Sequence, residues 1–269
     1  MKLLVSDLDG TLYPKSSVTN PNQFEDNIKA LHKWLEHGHK FVAATARPDY
    51  HYPILAERLG FKPVYIGCNG AVLIFENGEM LTKSFPMSVF IELADRLNEW
   101  NYNAAVGTHY GDFWIWNDLK KYPFIGAPHP MSTWISSTSL DAELIHRLPQ
   151  DFPLVRIQIF VELSQREELR KKVEDLHLPV NIVISDFDLI DIGPLNCSKG
   201  ISIHELCDYY QITEKDLIVA GDSENVIPMF ECTENSYCID HADEEVKSHA
   251  TYIVASLQEA IEAELAKEK

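Results

Sequence analysis

The sequence predicts a doubly wound α/β core with a parallel sheet, split by an inserted α+β domain, and three observations carry that fold class. Short apolar runs alternate with amphipathic helical stretches in roughly the first 80 residues, the same alternation returns in roughly the last 80, and the middle third changes to period-two patterning. A parallel-sheet pattern that stops and resumes implies an insertion into one domain.

Taken in chain order, Leu3, Leu4 and Val5 read as a buried strand. Ile28, Leu31, Trp34 and Leu35 make one face of a helix that stops near Gly38, and Phe41 to Ala44 is strand-like. A second helix runs to Leu59-Gly60, and Val64 to Ile66 forms another short strand. In the middle third, Val155, Ile157, Ile159 and Val161 alternate with Arg156, Gln158, Phe160 and Glu162. Asp112 to Asn117 and Val180 to Ser185 alternate in the same way, so half-exposed antiparallel strands are expected, with helices near Ser88 to Trp100 and Gln165 to Leu176. Ile203, Leu206, Cys207 and Tyr210 then form a helix face ahead of the strand Leu217 to Ala220. Tyr237 to Ile239 and Tyr252 to Val254 continue the parallel pattern, and Ser256 to Lys269 reads as a solvated final helix. The boundaries fall near Lys83 and Asp188, giving a core of residues 1–83 and 189–269 around an insert of residues 84–188.

Composition narrows the function. A net charge of −18 without a basic stripe argues against nucleic acid and anionic membranes as partners. No apolar run approaches the roughly 18 residues of a membrane span, and Asp7 interrupts the N-terminal run before it could serve as a signal peptide. Five cysteines with no Cys-x-x-Cys spacing support neither a disulfide framework nor a zinc site. A cytoplasmic protein, a monomer or weak homo-oligomer, is expected.

Chemistry concentrates where strands should end. The run KLLVSDLDGTLY places Asp7 and Asp9 at the end of the first strand, and carboxyl ends of strands form the ligand crevice of an open α/β sheet. Such a carboxylate pair suits a hard cation and a phosphorylated substrate. The next strand ends in Thr45-Ala46-Arg47-Pro48, which offers a hydroxyl, backbone N–H groups and a guanidinium for a phosphoryl group. Gly221-Asp222-Ser223-Glu224-Asn225 supplies a carboxylate and an amide oxygen, donors that magnesium accepts. Lys199, in Cys197-Ser198-Lys199-Gly200, opposes the dipole of the helix it begins and so calls for a reason.

Two Asp, a Thr, a Lys and a further Asp, in that order and each at a strand end or helix start, resemble the four motifs of the haloacid dehalogenase superfamily. The long α+β insert, with Cys68-Asn69-Gly70-Ala71 before it, resembles the Cof-type sugar-phosphatase branch. The resemblance implies that Asp7 is a nucleophile forming an aspartyl-phosphate and that Asp9 is its acid/base. It implies further that Thr45 and Lys199 bind the transferring phosphoryl and that Arg47 and Asn69 line its pocket. Mg²⁺ would be held by Asp7, Asp9 through its backbone carbonyl, Asp222 and Asn225. The partner implied is a small phosphorylated metabolite, a sugar phosphate or a phosphorylated cofactor. A cap over the crevice would read its leaving group; His109, Tyr110, Trp114, Trp116 and Trp134 are aromatic candidates for that contact, with strand and cap packing as the alternative.

Departures from the pattern are Val226, where a carboxylate is usual, Ala46 in place of Gly, and Ile239-Asp240-His241-Ala242 in place of a segment that commonly contains Asn-Ala. Val226 predicts a functional enzyme with weakened metal affinity. Two other functions fit the same motifs, a sugar phosphomutase and a phosphate-ligand sensor that has lost turnover. The histidines form no zinc-spaced cluster and receive no role.

Overall fold

The N-terminal apolar run forms strand β1 (Leu3–Asp7), buried along its whole length and extending to include Asp7 itself. The computed structural model describes residues 1–15, 20–108, 111–115, 135–139, 153–186 and 189–268. After β1 comes the helix Gln23–Glu36, which buries Asn27, Ala30, Leu31 and Trp34. Its inward stripe is rotated from the apolar face read in the sequence, and Ile28 and Leu35 lie at its margins. The rotation has a polar cause: the amide of Asn27, fully buried, donates to the carbonyls of Thr11 and Leu12 and so pins the turn that follows β1. Strand β2 (Lys40–Ala44), the helix Tyr52–Leu59 with left-handed Gly60 as its C-cap, and β3 (Val64–Gly67) follow the expected alternation. β4 (Val72–Ile74) and β5 (Met80–Thr82) complete this part.

The insert contains β6 (Asn103–Thr108), β7 (Gly111–Ile115), β8 (Ile135–Ser139), β9 (Leu154–Phe160), β10 (Val180–Asp186) and β11 (Leu189–Pro194), in the sheet order β10-β11-β9-β6-β7-β8. The pairing is antiparallel as expected, except that β7 and β8 run parallel. One sheet face and the helices Met87–Glu99 and Arg166–Glu174 share an apolar cluster that includes Phe90, Leu93, Leu97, Ile157, Ile159, Leu169 and Val173. The expected half-exposure of β9 does not hold, because Arg156 and Gln158 are only 3% exposed, and Asp191 on neighbouring β11 is 4% exposed. Gln158 stands directly opposite Asp191 across the β9–β11 pairing, so the polar positions of the alternation form a buried polar patch rather than a wet face. Of the aromatic candidates, His109, Tyr110, Trp116 and Trp134 lie outside the described residues, as does Asn117; Trp114 lies on β7.

β12 (Leu217–Gly221), β13 (Ser236–Ile239) and β14 (Tyr252–Val254) complete an eight-stranded sheet in the order β14-β13-β12-β1-β2-β3-β4-β5. From β14 to β3 it is parallel. The chain leaves β1 toward β2 and β3 and returns on the other side as β12, so the topological switch point lies between β1 and β12, and the crevice of a doubly wound sheet opens there. Two compact units result: Met1–Arg47, His51–Leu81 and Ser198–Lys269 form one, and Thr82–Cys197 with Pro48–Tyr50 the other. The second boundary thus lies beyond Asp188. β11 pairs with β9 and β10, and because Leu189 to Ile192 are buried throughout, this strand imitates the two-sided burial of a parallel core strand.

The C-terminal helix Leu257–Ala266 is not merely solvated. It buries Leu257, Ala260, Ile261, Leu265 and also Glu264, which is 2% exposed. Glu264 accepts hydrogen bonds from Lys2 Nζ at 3.1 Å, Tyr237 Oη at 2.6 Å and Lys267 Nζ at 2.5 Å, tying both chain ends to β13. Burial acts to raise its carboxyl, but these donors outweigh burial and hold it below its ordinary 4.5. Among the described residues no helix is long and apolar enough to cross a membrane.

A depressed folded-state value means that the stabilisation is present above pH 4.5 and disappears as pH falls through the folded value. Glu264→Gln is therefore expected to lower unfolding free energy by about 2 kcal/mol at pH 7 in urea melts, with the gap to wild type closing in acid. Equal melts at pH 7 would contradict this.

Candidate active site

The site is assembled at the carboxyl ends of neighbouring strands. Asp7 ends β1 and is 4% exposed; Thr45, 1% exposed, follows β2; Asp222, 3% exposed, follows β12. Lys199 opens the helix Lys199–Tyr210, whose N-cap Ser198 accepts from the Ile201 amide at 3.1 Å. The Lys199 ammonium, buried at 1% exposure, donates to Asp7 Oδ1 at 2.7 Å. A buried counter-charge is the reason for a cation at this helix start.

Gly10 explains how β1 and β12 come so close. Its φ is +90°, and a Cβ there would lie 2.0 Å from Asp222 Oδ2, so a side chain at position 10 would occupy the place of the carboxylate. Thr11 Oγ1 donates to Asp222 Oδ1 at 2.8 Å, while Lys15 Nζ at 2.9 Å and His241 Nε2 at 3.0 Å meet Oδ2.

Asp9 is set differently. Its side chain is 55% exposed and is gripped by Arg47 through Nε at 2.7 Å and Nη2 at 2.5 Å, a bidentate fork. Arg47 also contacts His51 Nε2. Burial first, then the neighbouring Arg47 charge, lowers His51 to about 4, so a neutral ring faces the guanidinium. The Arg47 amide donates to Thr45 Oγ1 at 3.1 Å, which leaves the hydroxyl proton of Thr45 to be donated elsewhere.

Asn69 sits at φ 52° in a tight turn after β3. Its backbone N–H donates to the Thr45 carbonyl at 3.0 Å, and its side-chain oxygen accepts from Asn225 Nδ2 at 3.2 Å. Asn225 Oδ1 in turn accepts from Ser223 Oγ at 2.9 Å. The Asn225 amide thus links the loops that carry Asn69 and Ser223.

The two buried carboxylates are shifted in opposite directions by their surroundings. Burial pushes Asp7 up to about 6, opposed by Lys199 and reinforced by the charges of Asp222 and Asp9. Burial presses on Asp222 as well, but His241, Lys15 and Thr11 hold it below its usual range. Asp7 is therefore short of positive charge even beside Lys199, and a hard cation between Asp7 and Asp222 would relieve that shortage. Among the described residues no three His, Cys, Asp or Glu side chains converge on one point. Two carboxylates, a backbone carbonyl and retained waters form the oxygen set that magnesium takes.

The family model for haloacid dehalogenase-like hydrolases matches residues 4–261. The chain belongs to this family. Among relatives of this hydrolase, pyridoxal phosphate phosphatase YbhA of Escherichia coli (strain K12) is 23% identical over 94% of this chain and 93% of its own length. The 5-amino-6-(5-phospho-D-ribitylamino)uracil phosphatase YwtE of Bacillus subtilis (strain 168) is 22% identical over 96% and 94%. The structure of SMU.1108c from Streptococcus mutans UA159 superposes with a TM-score of 0.80 at 22% identity, covering 99% of each chain. That of the HAD subclass IIB sugar phosphatase BT4131 does so at 0.78 and 19%, covering 100% of this chain and 98% of the other. At these identities the structures establish the shared fold of the hydrolase.

Sequence reasoning missed Thr11, Lys15, His51 and His241 as members of the cluster. Thr11 was visible in the first motif and His241 as a departure just beyond β13, but neither Lys15 nor His51 carries a local signal. Val226 is also clarified: it is fully buried in the apolar cluster with Val219, Met229 and Phe230, and a Cβ on Gly221 would meet its side chain at 2.6 Å. Val226→Asp would place a carboxylate in that cluster, so a loss of roughly 2–4 kcal/mol is expected. Chemical denaturation with a midpoint equal to wild type would refute the assignment of Val226 to packing.

Proposed function

We propose that this hydrolase is a magnesium-dependent phosphatase that cleaves a small phosphate monoester through an aspartyl-phosphate on Asp7. The observation that carries the reading is the buried Asp7–Lys199 pair at 2.7 Å beside Asp222, at the switch point of the sheet. A phosphate dianion repels a carboxylate nucleophile, so attack needs cations already in place. Lys199 holds Asp7 in one orientation and shares charge with the incoming phosphoryl. Asp7, the Asp9 carbonyl and Asp222 would hold the metal ion, with Asn225 and Asn69 bracing the loops around it. When bound, the ion neutralises charge on the phosphoryl oxygens as a Lewis acid.

Thr45 donates its hydroxyl proton to a phosphoryl oxygen, since its lone pair already serves the Arg47 amide. Asp9 protonates the leaving alcohol and then takes a proton from the water that opens the acyl phosphate. Arg47 grips that carboxylate through two nitrogens. An arriving phosphate offers the guanidinium a competing dianion, which releases the Asp9 side chain toward the leaving group.

The substrate class we infer is a sugar phosphate or phosphorylated cofactor. Support comes from relatives named for pyridoxal phosphate and for a phosphoribitylaminouracil, both small phosphate esters with a polar leaving group.

Phosphate release from p-nitrophenyl phosphate and from a panel of phosphorylated metabolites tests the reading. Asp7→Asn is expected to lose about a thousandfold or more in kcat with its fold retained by circular dichroism. Chelation by EDTA is expected to remove all but about 1% of activity, with recovery on adding Mg²⁺. Turnover that survives in Asp7→Asn would end the covalent mechanism, and activity indifferent to EDTA would end the role of the metal.

A further inference from the structure

Asp222 is surrounded by more donors than a carboxylate awaiting a divalent ion requires. Oδ1 accepts from Thr11, and Oδ2 meets both Lys15 at 2.9 Å and His241 at 3.0 Å. These partners differ in how firmly they are held. Thr11 is 2% exposed and lies in the turn pinned by Asn27, and the His241 side chain, two residues past β13, is 18% exposed. Lys15 comes from a stretch outside the strands and helices, its side chain is 45% exposed, and its ammonium rides on a flexible four-carbon stem. Its partner oxygen belongs to a side chain only 1% exposed.

An ammonium and a hydrated divalent cation make the same demand on Asp222, a lone pair on a carboxylate oxygen. Both at once would set like charges within a few ångströms of each other in a poorly solvated place. Of the groups on Oδ2, the half-exposed lysine is the one that can move into water at little cost. His241, with a side chain only 18% exposed, keeps its contact with the carboxylate.

We propose that Lys15 is a resident counter-cation of Asp222: it neutralises the buried carboxylate in the metal-free protein and is displaced to solvent when a divalent ion takes its place. The inference rests on the reading of Asp222 as a metal ligand. It gives Lys15 two opposite effects, since the same ammonium that stabilises the metal-free fold competes with the ion. A lysine that merely helped to build the site would instead strengthen metal binding.

The sign of the affinity change separates the two roles. In calorimetric titration of Mg²⁺ into the full chain, Lys15→Gln is expected to bind about two- to fivefold more tightly than wild type, as removal of a competing, half-exposed ion pair predicts. Its metal-free melting temperature is expected to be lower than that of wild type, and Mg²⁺ is expected to raise it by more. A second measurement needs no variant: in ¹³C-lysine-labelled wild type, the Lys15 ε-methylene signal is expected to move to the position of a solvated lysine with the same Mg²⁺ dependence as the calorimetric heat. Equal or weaker Mg²⁺ binding by Lys15→Gln, or a Lys15 signal that saturating Mg²⁺ leaves unmoved, would overturn the proposal while leaving the metal site standing. A wild-type chain that neither binds Mg²⁺ by calorimetry nor gains melting temperature from it would overturn the functional reading and this inference together.

Discussion

The arrangement of the site depends on one buried ion pair. Lys199 and Asp7, with side chains 0% and 5% exposed, meet at 2.7 Å although 192 positions separate them in the chain. Removing either partner would leave an uncompensated charge in a poorly solvated interior, which typically costs about 3–5 kcal/mol, whereas an exposed pair contributes 1 kcal/mol or less, on the order of thermal noise. The second part of the core must therefore return to the first in a fixed register for the charge of Asp7 to be met, and the insert between them is accommodated without altering that requirement.

Backbone geometry enforces the same convergence. The turn at Cys68, Asn69 and Gly70 is left-handed at all three residues and is held from two sides, by Asn225 on the Asn69 side chain and by Ser202 on the Gly70 carbonyl. Gly10 brings the loop after β1 against the Asp222 carboxylate, where no side chain would fit. Polar side chains joined to backbone in this way position a site more accurately than apolar packing alone, because a hydrogen bond fails within a few tenths of an ångström.

Two carboxylates a short way apart have been given different environments, and this division is what makes the site chemically useful. Asp222 has donors on both oxygens and is held as an anion; Asp7 has Lys199 and a burial penalty that pushes it up to about 6. Asp9 differs from both, more than half exposed and forked by Arg47. In the proposed mechanism the first would hold a cation, the second would attack and the third would exchange protons, the distribution that phosphoryl transfer through a covalent intermediate asks for.

The alternating core, the insert, and the positions of Asp7, Asp9, Thr45, Lys199 and Asp222 were legible in the sequence because each is a local signal: an apolar run of strand length ending in a polar group, or a helix beginning with an unexpected charge. The end of the insert was misplaced because β11 is buried on both faces, and periodicity cannot distinguish such a strand from a parallel one. The burial of Arg156, Gln158 and Asp191 was hidden for a related reason, since alternation says which residues share a face but not what covers it. Tertiary structure alone decided the partners: Arg47 on Asp9, Lys15 and His241 on Asp222, Asn225 on Asn69. Electrostatic pairing acts over a few ångströms in space, and sequence separation carries no information about that distance until the chain has folded.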